Sequence, residues 1–311
     1  MTKIHVPDRC FLALKRLFFL VTMTFCVICE TPAATDDFND GTDDGWTRYN
    51  PIDTGTWTLS GGTYRLQSSV SSSPGTVGPG RAGSLRTAET YAQFSVAVDI
   101  VAWDNTLDQI FGLITRVGTP GLGSTKGYGF TYATRTGRNP SGELEILRIA
   151  QEAGTDITTA SNFTFVVGQS YRMVFEGEVN QLTAKLFSST NLTTPLVTLT
   201  ATDSTYTNGT AGFFTYDNSR GGAGRADVTF DNFFATEVGP KLQIDRDLSS
   251  GDMRLSWPAW ATNYRLERSY EVPATPASWQ DFGVGFDIFD GRFINFDDGT
   301  QGLAIYRLAY P

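Results

Sequence analysis

Phe94-Ser95-Val96-Ala97-Val98-Asp99-Ile100-Val101-Ala102-Trp103 is the stretch that decides the fold. Successive side chains of an extended strand point to opposite faces, so Phe94, Val96, Val98 and Ile100 share one side. That period of two predicts a half-buried antiparallel strand. Working outward, the same reading predicts strands over 109–117, 127–133, 143–149, 171–176, 182–188, 196–200, 211–216 and 226–234. Turn chemistry at Gly154-Thr155-Asp156, Asn208-Gly209 and Asp217-Asn218 punctuates them. Glycine-rich runs at 68–83 and 221–224 read as loops. No segment carries a helical period, and the spacing of short strands is that of a β-sandwich.

The pattern pauses near Thr236-Glu237-Val238-Gly239-Pro240, and further strands are predicted over 241–244, 253–257, 264–268, 291–296 and 304–308. We therefore expect one domain over 35–237 and a small β-module over 238–311. At the other end, Lys3, Arg9, Lys15 and Arg16 precede the apolar run 17–29 (LFFLVTMTFCVIC), which is shorter than a membrane span. Residues 1–34 read as an export signal with a cut after Ala33 or Ala34, so a secreted protein without membrane insertion is expected. Neither Cys26 nor Cys29 follows the small residues of a lipidation motif.

The single histidine, His5, and all three cysteines, Cys10, Cys26 and Cys29, lie inside that leader. The remainder has no imidazole or thiol, which excludes serine-histidine triads, cysteine nucleophiles and zinc, haem or iron-sulfur centres. Carboxylate chemistry remains. The whole chain has a net charge of −9; the leader removes four basic and two acidic residues, leaving −11. Phosphate backbones and anionic lipid repel such a chain, so no nucleic-acid partner is expected.

The opening Asp36-Asp37-Phe38-Asn39-Asp40-Gly41, with Asp44-Gly45-Trp46, Gly55-Thr56-Trp57 and Gly61-Gly62-Thr63-Tyr64, resembles that of secreted bacterial concanavalin A-like, laminin-G-type domains. Gly127-Tyr128-Gly129-Phe130, Gly168-Gln169-Ser170-Tyr171-Arg172, Gly209-Thr210-Ala211-Gly212-Phe213 and Phe230-Asp231-Asn232-Phe233 follow in the order those domains use. The resemblance implies an all-β jelly-roll sandwich over residues 36 to about 237. The tail, with Leu255-Ser256-Trp257 and Tyr306-Arg307-Leu308, resembles the small C-terminal sandwich modules, immunoglobulin- or fibronectin-III-like, of exported proteins. The family hosts lectins, glycosidases, lyases and adhesion modules, so fold alone does not select a function.

Glu143-Leu144-Glu145 resembles part of the carboxylate strand of jelly-roll glucanases, and residues two apart on a strand share a face about 6.6 Å apart. The family's remaining acid position falls on Leu147 or Arg148, neither of which donates a proton near neutral pH. With Leu144 and Ile146 on the partner face, the same alternation describes a half-buried strand whose glutamates are solvated. Asp36, Asp37, Asn39, Asp40, Asp43 and Asp44 crowd the start of the exported chain, and the resemblance implies a structural Ca2+ at Asp37 and Asp231, where first and last strands run together. For a glycan we single out Asp99 with Trp103, Arg116 if its strand bulges, and Tyr216-Asp217-Asn218. Tyr128, Phe130 and Tyr132 form a stripe expected in the core. The leading expectation is an exported, noncatalytic binder of polysaccharide or cell-surface glycan. The alternatives are a carbohydrate-active hydrolase or lyase using Glu143 and Glu145, and a structural envelope or matrix protein.

Overall fold

The computed structural model describes residues 33–136, 142–160, 163–247, 249–259, 261–262, 264–271, 274–282, 285–300 and 304–309. The leader through residue 32, and Trp260 in the tail, lie outside them. The chain separates into two compact units, with a boundary between Val238 and Gly239. The larger unit begins with β1 (Ala34–Asp36), β2 (Thr47–Tyr49), β3 (Gly55–Ser60) and β4 (Thr63–Ser68). A short helix α1 (Pro74–Val77) leads to β5 (Arg81–Leu85), followed by β6 (Phe94–Trp103), β7 (Gln109–Gly118), β8 (Lys126–Ala133), β9 (Glu143–Ala150) and β10 (Ala153–Ala160). Then come β11 (Tyr171–Glu178), β12 (Gln181–Ser188), β13 (Val197–Thr202), β14 (Thr210–Asp217) and β15 (Ala226–Glu237).

These strands make two antiparallel sheets. One has the order β13-β12-β11-β6-β15-β4-β3, with β1 also on β15; the other has the order β10-β9-β8-β7-β14-β5-β2. β4 pairs with Ala226–Phe230 and β1 with Phe233–Ala235, so the first and last strands do run side by side. The sheets enclose one core in which Phe94, Val96, Val98 and Ile100 face Phe111, Leu113, Phe130, Ile146 and Phe213, all essentially inaccessible. Each such side chain contributes about 1.5–3 kcal/mol by leaving water, and their edge-on ring contacts add to it. Phe213, for example, packs edge-on against Phe38 at 6.2 Å and Tyr64 at 5.4 Å. The stripe Tyr128, Phe130 and Tyr132 lies in this core, as the pattern predicted. The architecture is an all-β jelly-roll sandwich of two antiparallel sheets.

Two expectations need correcting. The run 68–83 is not simply a loop, because Arg81–Leu85 form β5, wholly buried and paired on both sides with β2 and β14. The expected turn at Gly154-Thr155-Asp156 is part of β10, an edge strand whose small, polar residues carry no apolar alternation since most of it faces water.

The second unit holds β16 (Gln243–Arg246), β17 (Met253–Pro258), β18 (Arg265–Ser269), β19 (Gln280–Asp281), β20 (Asp287–Phe289), β21 (Arg292–Asp297) and β22 (Ile305–Ala309). They form a four-stranded sheet, β16-β17-β21-β20, and a three-stranded sheet, β19-β18-β22. Trp257, with Leu255, Leu266, Phe293, Tyr306 and Leu308, forms its core. Asp297 is held there by Arg268 and the Tyr306 hydroxyl, both at 2.7 Å.

Candidate functional site

The outward face of the β10-to-β2 sheet is hollow, and its sequence explains why. Opposite the core stripe of β8, the outward positions are Gly127, Gly129, Thr131 and Ala133, while β7 and β5 contribute Gly112 and Gly83. Gly112 has φ +154°, and a Cβ there would meet the Phe130 carbonyl oxygen at 2.2 Å, so the backbone approach itself demands glycine. Large side chains rise around this floor. Register places Glu145, Thr131, Gly112, Phe214, Gly83 and Tyr49 in one row across the sheet. Glu143, Ala133, Ile110, Tyr216 and Arg81 make the next. The resulting cleft encloses about 540 Å³. Ile114, Leu147 and Ile149 make its apolar side, packed with Tyr49 and Phe214.

Glu143 and Glu145 share this cleft, but not as solvated side chains. Glu145 is only 7% exposed and accepts a hydrogen bond from the Thr131 hydroxyl at 3.2 Å. Burial pushes its carboxyl up to about 7, and the charges of Asp156 and Glu143 add to the shift. The neighbouring Glu143 carboxyl, two residues away on the same strand, also favours the protonated form. Glu143 is ion-paired with Arg135. The alternation rule failed here because it treats an outward position as wet, whereas a concave sheet with neighbouring β10 covers it.

A second carboxylate closes one side of the cleft. Glu152, in the turn between β9 and β10, takes a bidentate pair from Arg81 at 2.8 and 2.9 Å. It also accepts hydrogen bonds from the Tyr49 hydroxyl and the Gly123 amide. Burial alone would raise its pKa, but these donors outweigh that cost and hold the carboxyl below its ordinary value. Neither Arg81 nor Glu152 stood out in the sequence; the only signal was an arginine entering a glycine-rich strand.

The other predicted residues scatter. Tyr216 and Asn218 line the cleft. Between them Asp217 turns inward, fully buried, and accepts from the Ser219 and Gly224 amides at 2.8 and 2.9 Å, so it shapes a loop rather than meeting a ligand. Asp99 lies on the outer face of the opposite sheet, bound to Arg172 at 2.9 Å and to Asn232 at 2.9 Å. Trp103 is not beside it. An extra residue at Val101 interrupts the β6–β15 register, and past this bulge Trp103 swings into the core against Phe165.

Arg116 does sit in a bulge, with φ +47° and shifted registers on both neighbours. The bulge turns it inward instead of toward solvent. Its guanidinium is 1% exposed, donates to Ala92 O at 3.0 Å and Tyr206 O at 2.9 Å, and lies over the Phe94 ring at 5.2 Å. Burial lowers its pKa, while the nearby Tyr128 and Glu237 oppose the shift.

Near the β1–β15 junction, burial raises Asp231, and the charges of Asp99 and Asp37 raise it further. Asp36 is engaged by the Phe38 amide at 2.9 Å and the Trp46 indole N–H at 2.7 Å. Among the described residues no group of three or more acidic side chains converges as a metal site requires. Asp37 and Asp231 would supply two of the roughly six to eight oxygens calcium takes, the rest falling to backbone carbonyls and water.

No family profile matches the sequence, and no curated protein aligns with it. Among solved structures, basic winged bean lectin with Tn-antigen is similar over 67% of this chain and 99% of its own, at 11% identity and a TM-score of 0.46. Lectin II from Ulex europaeus is similar over 67% and 100%, at 12% identity and a TM-score of 0.45. A β-1,3-1,4-glucanase (lichenase) from a mouse hindgut metagenome is similar over 67% and 99%, at 11% identity and a TM-score of 0.46.

Proposed function

We propose that the protein is an exported, noncatalytic carbohydrate-binding module and that the cleft of the β10-to-β2 sheet is its glycan site. The observation that carries this reading is the row structure of that sheet. Thr131, Gly112 and Ala133 separate the carboxyl side chains of Glu143 and Glu145 from Phe214 and Tyr216, and Tyr49 and Asn218 line the same cleft. Sugars need an apolar platform for their C–H faces and a few placed polar groups for orientation. The cleft volume is that of a small-ligand site, enough for a short oligosaccharide segment.

One observation favours a hydrolase as the second reading. Glu145 holds a proton near neutral pH, which is what a general acid of glycoside cleavage needs. Its geometry points the other way. The remaining acid position of the glucanase pattern falls on Leu147 or Arg148 of the same strand, neither of which donates a proton near neutral pH. Arg135 also occupies Glu143, the partner Glu145 would use.

The test is retention of the purified chain on a glycan array, followed by analysis of bound glycans for cleavage. Saturable retention without product is the expected outcome. Product release lost in Glu145→Gln would put the hydrolase in front, and no retention at all would remove the carbohydrate reading.

A further inference from the structure

The charges of the cleft are unequal. Four carboxyl groups, Glu143, Glu145, Glu152 and Asp156, line it with two guanidinium groups, Arg81 and Arg135. Both arginines are committed, Arg81 to Glu152 and Arg135 to Glu143. Among the described residues, no cation pairs with Glu145 or Asp156, although Asp156 on β10 is near enough for its charge to bear on Glu145. Around Glu145 stand Glu143 on its own strand, Thr131 on β8 and, on β10, Thr159 opposite it and Asp156 opposite Leu147, two acids and two hydroxyls. In the free protein a proton relieves this crowding. A ligand cation would relieve it better, because an ammonium donates up to three hydrogen bonds and leaves both carboxylates ionised. Tyr49, Tyr216 and Phe214, across the same floor, suit a ring carrying such a group, since aromatic faces attract both sugar C–H groups and cations.

We propose that the cleft takes a glycan bearing a free amine, an amino sugar, with its ammonium seated at Glu145 and Asp156. This rests on the carbohydrate-binding reading and narrows it from glycans in general to cationic ones. Neutral sugars would leave the two acids, Glu145 buried and Asp156 exposed, unanswered, and sugars bearing carboxylate or sulfate would be repelled by them.

The experiment compares glucosamine oligosaccharides with N-acetylglucosamine oligosaccharides of equal length at about pH 6, using the full chain, its Glu145→Gln and Asp156→Asn variants, and hexalysine as competitor. The two sugar series share ring and linkage and differ only at C2, where acetylation removes the charge and adds an acetyl group. The amine series is expected to bind about ten-fold more tightly, the size of one charge-assisted hydrogen bond. Each variant should reduce that preference by several-fold, and hexalysine should compete poorly. Asp156→Asn keeps the test usable if Glu145→Gln perturbs folding, since Asp156 is exposed on an edge strand. Equal or tighter binding of the acetylated series overturns the proposal, as does an amine preference that survives both variants or is matched by hexalysine. Retention of only neutral glycans on a broader array overturns the amine assignment and leaves the glycan site standing, whereas retention of no glycan removes both.

Discussion

Arg81 and Glu152 form a bidentate ion pair at 2.8 and 2.9 Å, although β8, β7 and β14 separate β9, which leads into the turn carrying Glu152, from β5, which carries Arg81. The side chains are 8% and 10% exposed, so the contact is an interior one that ties the two ends of a seven-stranded sheet together. Arg81 also donates to the Val77 and Pro79 carbonyls at 2.9 Å, fastening the segment that precedes β5.

Removing one partner of such a pair strands the other. Glu152→Ala should lower stability by about 3 kcal/mol in chemical denaturation, and Arg81→Ala by a similar amount. Because the folded-state pKa of Glu152 is depressed, its contribution is present above the ordinary carboxyl value near 4.5 and is lost as pH falls through the folded value. Stability of the native protein should therefore drop more steeply in acid than that of Glu152→Ala.

Glu145 has the opposite sign. Its folded pKa lies near 7, above the ordinary 4.5, so its contribution is complete below 4.5 and is lost as pH rises toward and through 7. Glu145→Gln should flatten stability between about pH 4.5 and 7 and raise it at pH 8, by on the order of 3 kcal/mol. A variant less stable than the parent at pH 8 would contradict the buried-acid account.

Arg116 is a packed internal clamp. Arg116→Met keeps most of the volume yet leaves the Ala92 and Tyr206 carbonyls without their donors, at a cost of about 2 kcal/mol in thermal or urea unfolding. Glycan retention by the folded variant should be unaltered, because the side chain faces the core and not the cleft.

Asp99 and Tyr216 separate the two outer faces. Tyr216→Ala should weaken glycan retention about ten-fold by removing one wall of the cleft. Asp99→Asn, on the opposite sheet, should leave retention unchanged in the same assay.

Much of the sandwich was legible because a strand's period is two and its core residues are large. Phe94 to Ile100 on β6 and the Tyr128-Phe130-Tyr132 stripe on β8 announce themselves. The small outward residues of β8, Gly129, Thr131 and Ala133, are legible too, and Ala133 lines the cleft. What stayed hidden depends on register and on departures from it. Arg81 on a glycine-rich strand meets Glu152, 71 residues away, only once the sheet is assembled. The bulges at Val101 and Arg116 each turn a side chain to the face opposite the one that plain alternation gives it. The burial of Glu145 follows from sheet concavity and the covering edge strand β10, neither of which a local pattern encodes.

The most direct measurement is saturable retention of the full chain on a glycan array beside a Tyr216→Ala, Phe214→Ala double variant shown to be folded by circular dichroism. The account predicts selective retention by the parent, reduced at least about ten-fold in the variant, with no cleavage product. Retention undiminished in the variant, or none by the parent, would contradict the assignment of the cleft as a glycan site.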